Sequence, residues 1–209
     1  ASPTSTKKFT ISFWIKLNKL GTVQTPIALA PVGSTPHLQR PVLNFTANNQ
    51  FQWVTSGGVA VNVTTNRSFE DTSKWYHVLI RIDTTQGGND NNRIYIDGEQ
   101  QALTHTKNAG DNSDYVLASQ AQRIGATTTN GQTFTGYLAE INYVDGQSLG
   151  PESFGQTDTS TGRWIPSVVK PYPTTTTSIA VTVVDSGGNK YALDGVTQDT
   201  VTLIEGATY

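Results

Sequence analysis

Cysteine and methionine are both missing from the 209 residues. Without cysteine the chain has no disulfide, no thiolate metal site and no cysteine nucleophile. A chain that opens at Ala1 and holds no Met is expected to be a processed product or the ordered part of a longer one. Charge is sparse too: 14% of residues are charged and the formal net charge is −2. That leaves no basic footprint for nucleic acid. No apolar run approaches the roughly 20 residues that span a bilayer, and no signal-peptide pattern opens the chain, so a soluble protein without membrane contact is expected. Apolar residues at i, i+3, i+4 and i+7 never recur over three turns, so helix content should be close to nil.

What the chain does have is Thr, Asn, Gln and Gly, the composition of strands joined by turns. The organising stretch runs from Trp75 to Gln101. Successive side chains of a strand point to opposite faces, so Tyr76, Val78, Ile80 and Ile82 share one face and continue into Ile94 and Ile96. Trp75, His77, Leu79, Arg81 and Asp83 form a mixed opposite face, expected to meet water. Asp97-Gly98 supplies the two positive-φ positions of a tight hairpin turn. Phe9, Ile11, Phe13, Ile15 and Leu17 alternate in the same way, each contributing on the order of 1.5–3 kcal/mol on burial before entropy is counted.

Further strands are predicted at Pro26–Ala30, Val42–Thr46, Gln50–Val54, Val59–Val63, Arg123–Ala126 and Phe134–Asp145, with residues 66–74 as a polar connection. Ser148–Phe154 reads as one helical turn with Pro151 near its start. Beyond Trp164-Ile165-Pro166 the texture changes: residues 166–177 form a Pro/Thr-rich linker. Ile179–Val184, Lys190–Leu193 and Val201–Ile204 are three short strands of a small β segment, the start of a second domain. The first domain, residues 1–165, is therefore an all-β antiparallel sandwich.

Four motifs then carry a more specific resemblance. Phe9-Thr10-Ile11-Ser12-Phe13-Trp14-Ile15-Lys16 resembles the opening strand of concanavalin A-like, laminin G-type jelly rolls. Trp75-Tyr76-His77-Val78, Ile94-Tyr95-Ile96-Asp97-Gly98 and Phe134-Thr135-Gly136-Tyr137-Leu138-Ala139-Glu140-Ile141 are similar to their later strands, in the same order. The stretch from Tyr137 to Pro166 resembles the version found in bacteriophage tail-fibre and other virion proteins. That resemblance implies a virion module without enzymatic activity, working in assembly and host-surface glycan recognition. Its partners would be other virion proteins and copies of itself. The alternatives are a glycan-binding module of a secreted bacterial protein or a polysaccharide hydrolase.

Reactive chemistry finds little support. A retaining glycosidase needs two carboxyls about 5–5.5 Å apart. The nearest pattern, Glu140 to Asp145, places Glu140 and Asn142 on one face and Asp145 on the other, and only five glutamates occur in the chain. His37, His77 and His105 lack metal-ligand spacing and read as surface histidines. For a glycan the candidates are rim residues: Trp53 with Asn89, Asp90, Asn91 and Asn92, and Asp114 with Tyr115. Trp14 and Trp53 are read as projecting from polar strand faces. The same loops offer hard oxygens to Ca²⁺ through Asp90 and Asp111, the only cofactor considered, although Asn, Asp and Gly also simply make turns.

Overall fold

The computed structural model describes residues 4–29, 42–55, 61–108, 110–115, 123–126 and 132–167 with their side chains, and three strands beyond them as backbone. The chain divides into two compact units, Ala1–Val169 and Lys170–Tyr209. Unit one is built from β1 (Lys8–Leu17), β2 (Gln24–Ala28), β3 (Val42–Phe45), β4 (Gln50–Thr55), β5 (Val61–Ser68), β6 (Tyr76–Asp83), β7 (Asn92–Ile96), β8 (Glu99–Gln100), β9 (Leu103–Lys107), β10 (Arg123–Ile124), β11 (Gly136–Asp145), β12 (Gly155–Thr157) and β13 (Trp164–Pro166). The only helical elements among the described residues are 3-10 turns at Gly88–Asn91 and Pro151–Ser153.

Two antiparallel sheets form the sandwich, a five-stranded one in the order β11-β1-β6-β7-β8 and a six-stranded one in the order β10-β2-β3-β4-β5-β9. The predicted inward faces meet between them. Phe9, Phe13, Ile15, Val78, Ile80 and Ile96 from the first sheet are fully buried against Leu43, Phe51, Trp53, Val61 and Val63 from the second. Register is fixed by this alternation, because a one-residue slip would turn each inward set to water. Asp97 and Gly98 adopt φ of 52° and 83°, as the hairpin turn requires. Phe69, expected in a polar connection, instead caps the core at 1% exposure, edge-on to Phe45 and Tyr76.

The expectation of a wetted opposite face on β6 is corrected. His77 and Leu79 are fully buried and Asp83 nearly so. Residues 147–166 fold back over the outer face of the five-stranded sheet, and Leu79, Tyr95, Val144 and Phe154 form a second, smaller core there. The turn at Pro151 and the β12–β13 hairpin are what carry this cover into place.

Unit two contains β14 (Val181–Asp185), β15 (Asn189–Leu193) and β16 (Val196–Gln198) in one antiparallel sheet. Its third strand among the described residues is Val196–Gln198; the strand expected at Val201–Ile204 falls outside the described residues, as do residues 171–177 and His37.

Candidate functional site

The two loops singled out by their Asn and Asp content do come together, and they spend their polar groups on each other. Asp111 Oδ1 accepts from the Gly88 amide at 2.9 Å, and Asn91 Oδ1 accepts from the Gly87 amide at 2.9 Å. Asn92 Nδ2 donates to Asn108 Oδ1 at 2.8 Å, and the Tyr115 hydroxyl donates to Asn92 Oδ1 at 2.8 Å. Asn89 meets Asn108 at 3.2 Å, Asp114 accepts from the Thr6 hydroxyl, and Asp90 pairs with Arg93 at 3.0 Å. Asn91, Asn92 and Tyr115 are buried, and burial pushes the Tyr115 phenol far above its ordinary value. Of the candidate residues, Asn89, Asp90, Asp111 and Asp114 are exposed. Asp90 faces a guanidinium and Asp111 faces N–H donors, and among the described residues no three His, Cys, Asp or Glu side chains come together.

Trp53 is corrected in the same way. Its strand alternates with Phe51, Trp53 and Thr55 inward and Gln50, Gln52 and Val54 outward, so the indole lies wholly in the core beside Phe9 and Tyr115. Trp14, at 9% exposure, packs against His77.

His77 is the most chemically loaded buried group. Its Nε2 lies 2.8 Å from Ser12 Oγ, and its Nδ1 lies 3.1 Å from Trp164 Nε1. An indole N–H can only donate, so Nδ1 must be the acceptor and Nε2 must carry the proton. Nε2–H therefore donates to Ser12, and the imidazole's lone pair faces away from the hydroxyl it would have to deprotonate. Burial lowers the His77 pKa to about 4, against the opposing pull of Asp97. A serine–histidine pair is present, but it is wired as structure.

Glu140 is exposed and stands at φ 48°, where β11 carries an extra residue against β1 between the Ser12–Asn142 and Trp14–Ala139 pairs. The bulge breaks the alternation that would have aligned Glu140 with Asn142. Asp145, the next acid along β11, instead accepts from the amides of Thr4 and Ser5 and pins the N-terminal lead-in.

The sequence reading missed a row of uncharged polar side chains across the outer face of the six-stranded sheet. Cross-strand neighbours place Asn44 beside Gln52, Gln52 beside Thr64 and Thr64 beside Thr104. Thr25 Oγ1 donates to Asn44 Oδ1 at 2.8 Å at one end, and Thr104 Oγ1 donates to Asn66 Oδ1 at 2.8 Å at the other. Gln52 Nε2 donates to Asn62 Oδ1 at 3.0 Å in the middle. Thr25 and Asn44 are buried, Gln52 and Thr64 half-buried, and Thr104 exposed. The row offers amide and hydroxyl donors and acceptors on one rigid surface, the hydrogen-bonding vocabulary of a sugar. The signal was the polar alternate residues of these strands, Asn44, Gln52 and Thr64, which read only as the wet side of a sheet.

The family model of laminin G type within the concanavalin A-like lectin/glucanases superfamily matches residues 1–153. The chain belongs to that superfamily. Among solved structures, this lectin-like sandwich is similar to a candidate carbohydrate-binding protein of Bacteroides ovatus, with TM-score 0.55 and 15% identity over 94% of this chain and 53% of that one. It thus spans about half of the Bacteroides protein's length. It is also similar to the CBM40 module of the Ruminococcus gnavus IT-sialidase, with TM-score 0.53 and 13% identity over 71% of this chain and 80% of that one. The same module bound to α2,3-sialyllactose gives TM-score 0.51 and 14% identity over the same shares. No curated protein matches the sequence closely enough to count as a relative.

Proposed function

We propose that this concanavalin A-like domain is a non-enzymatic carbohydrate-recognition module of a bacteriophage virion, in a tail fibre, spike or capsid decoration. Its work is assembly and attachment to a host-surface glycan. The observation that carries the recognition role is the uncharged row from Asn44 to Thr104 on a lectin sandwich. A surface of amides and hydroxyls held by a rigid sheet can match sugar hydroxyls without a large rearrangement cost. The virion setting rests on the closing segment from Tyr137 to Pro166 and on the further β unit that follows it. Assembly with other virion proteins and with copies of itself belongs to the same reading.

A second reading is the glycan-binding module of a secreted bacterial protein. Its support is the likeness to the Bacteroides and Ruminococcus structures, one described as a candidate carbohydrate-binding protein and the other as a sialidase module. A glycan array probed with the whole chain, alongside a host-cell binding assay, tests recognition under both readings. Retention that falls at least tenfold in Gln52→Ala supports the row as the contact surface. A blank array and no cell binding would leave the module a purely architectural role. Detection of the chain in purified particles separates virion from secreted protein.

A further inference from the structure

The outer face of the five-stranded sheet is covered by residues 147–166 along most of its length, but one end stays open. There Trp75, at 38% exposure, and Tyr137, at 58%, stand with ring centroids 6.3 Å apart and planes tilted by 50°. Register explains the meeting. Tyr137 is the cross-strand partner of Lys16 on β11, and Trp75 lies one step beyond the Ile15–Tyr76 pair, on the other side of β1. Strands flanking a common neighbour lie roughly 9–10 Å apart. A 6.3 Å separation therefore means that both rings lean inward over β1, at Lys16. Gly136 allows the close approach, since a Cβ there would collide with the Lys16 carbonyl oxygen.

The charge at this spot has no ionic partner among the described residues. Three ion pairs occur among the described residues, Lys8–Asp83, Lys74–Asp97 and Arg93–Asp90, and Lys16 takes part in none. A lysine whose register sets it between two exposed aromatic residues is matched by a flat apolar face that carries an anion beside it. A pyranose ring bearing a carboxylate has that shape: its axial C–H bonds lie on an aromatic ring while its carboxylate takes a charge-assisted hydrogen bond. The patch is also narrow. The next cross-strand row inward is Ala139, Trp14 and His77, and His77 already lies under Trp164. One open row is far short of the roughly 800 Å² per partner that a stable protein interface buries.

We propose that Trp75, Tyr137 and Lys16 form a binding site for an acidic saccharide, with the sugar ring stacked on the two aromatics and its carboxylate on the lysine. This site lies on the opposite sheet from the Asn44–Thr104 row, and it rests on the carbohydrate-recognition reading only in its choice of ligand class. Uronic and sialic acids share the required chemistry, and the probes distinguish them.

The test is calorimetric titration of the whole chain with 3′-sialyllactose, a trigalacturonate and neutral lactose. Wild type, Trp75→Ala, Tyr137→Ala, Lys16→Gln and Lys107→Gln are compared, with molar mass measured in parallel. At least one acidic probe should bind at least tenfold more tightly than lactose. Trp75→Ala and Tyr137→Ala should each weaken it at least tenfold, Lys16→Gln should erase the preference for acid over lactose, and Lys107→Gln, at an exposed lysine of β9 on the other sheet, should leave it unchanged. Because the three side chains are exposed or half-buried, melting temperatures should move little, which separates lost binding from lost fold. Acidic probes that bind equally well to Trp75→Ala and Lys16→Gln would overturn the site. Acidic probes that fail while an array still retains neutral glycans would overturn the site alone. A chain that retains no glycan of any kind would overturn both the site and the recognition reading. A wild-type dimer that Trp75→Ala converts to monomer would assign the face to a second copy instead.

Discussion

At His77 two hydrogen bonds fix one tautomer, and the acceptor role of Nδ1 leaves no room for a second proton while Trp164 stays in place. The folded-state pKa of about 4 lies below the ordinary imidazole value of 6.5. Between those values the unfolded chain binds a proton that the folded chain does not. Stability therefore falls as pH drops from about 6.5 to about 4, by about 1.4 kcal/mol per pH unit and on the order of 3 kcal/mol in all. Urea unfolding across this window should show the slope, and His77→Gln should remove most of it, leaving the part that comes from His105, whose pKa burial also lowers. The lowered carboxyls of Asp83 and Asp145 add their own loss only below their ordinary range near 3.8, outside most of that window. A wild-type profile already flat from pH 6.5 to 4.5 would remove the wiring assigned to His77. Tyr115 offers a simpler case. Its hydroxyl serves Asn92 in a buried setting, so Tyr115→Phe should cost about 1–3 kcal/mol in denaturant unfolding by leaving Asn92 Oδ1 short of a donor.

Among the elements, the β12–β13 hairpin decides which face of the sandwich is open. Trp164 fits because two glycines make room: an added Cβ at Gly98 or at Gly155 would stand 2.5 Å from the indole. Gly155→Ala should therefore cost about 1–3 kcal/mol in the wild type and close to nothing in a Trp164→Ala background, a coupling that a double-mutant cycle measures directly. Equal costs in both backgrounds would mean that the indole does not occupy that slot. The inward faces of β1 and β6 were legible because Phe9 to Leu17 and Tyr76 to Ile82 alternate without interruption. The cover on their outer faces was not, since it depends on a tryptophan 87 residues from His77 in sequence. β9 escaped notice because Leu103 is the single large apolar residue in Leu-Thr-His-Thr-Lys. The β11 bulge escaped because no sequence period marks an extra residue at Glu140. Trp53 was misplaced by reading its face from Gln50 and Gln52, when its own alternation with Phe51 already pointed inward.

For the molecule as a whole, the four motifs at Phe9, Trp75, Ile94 and Phe134 sufficed to name the superfamily, because they mark the strands that build the core. The recognition surface was far less legible. Rim loops rich in Asn and Asp looked like ligand groups but proved to be mutual hydrogen-bonding partners. The groups the proposals rest on, the partly covered Asn44–Thr104 row and the exposed Trp75–Tyr137 pair, are assembled from strands distant in sequence. On the proposed function this sandwich holds carbohydrate and does not cut it. The decisive experiment incubates the whole chain with an immobilised glycan and polysaccharide panel and measures retained protein and released reducing ends together. Retention without any released product is the predicted result. Release of new reducing ends that Glu140→Gln abolishes would contradict it.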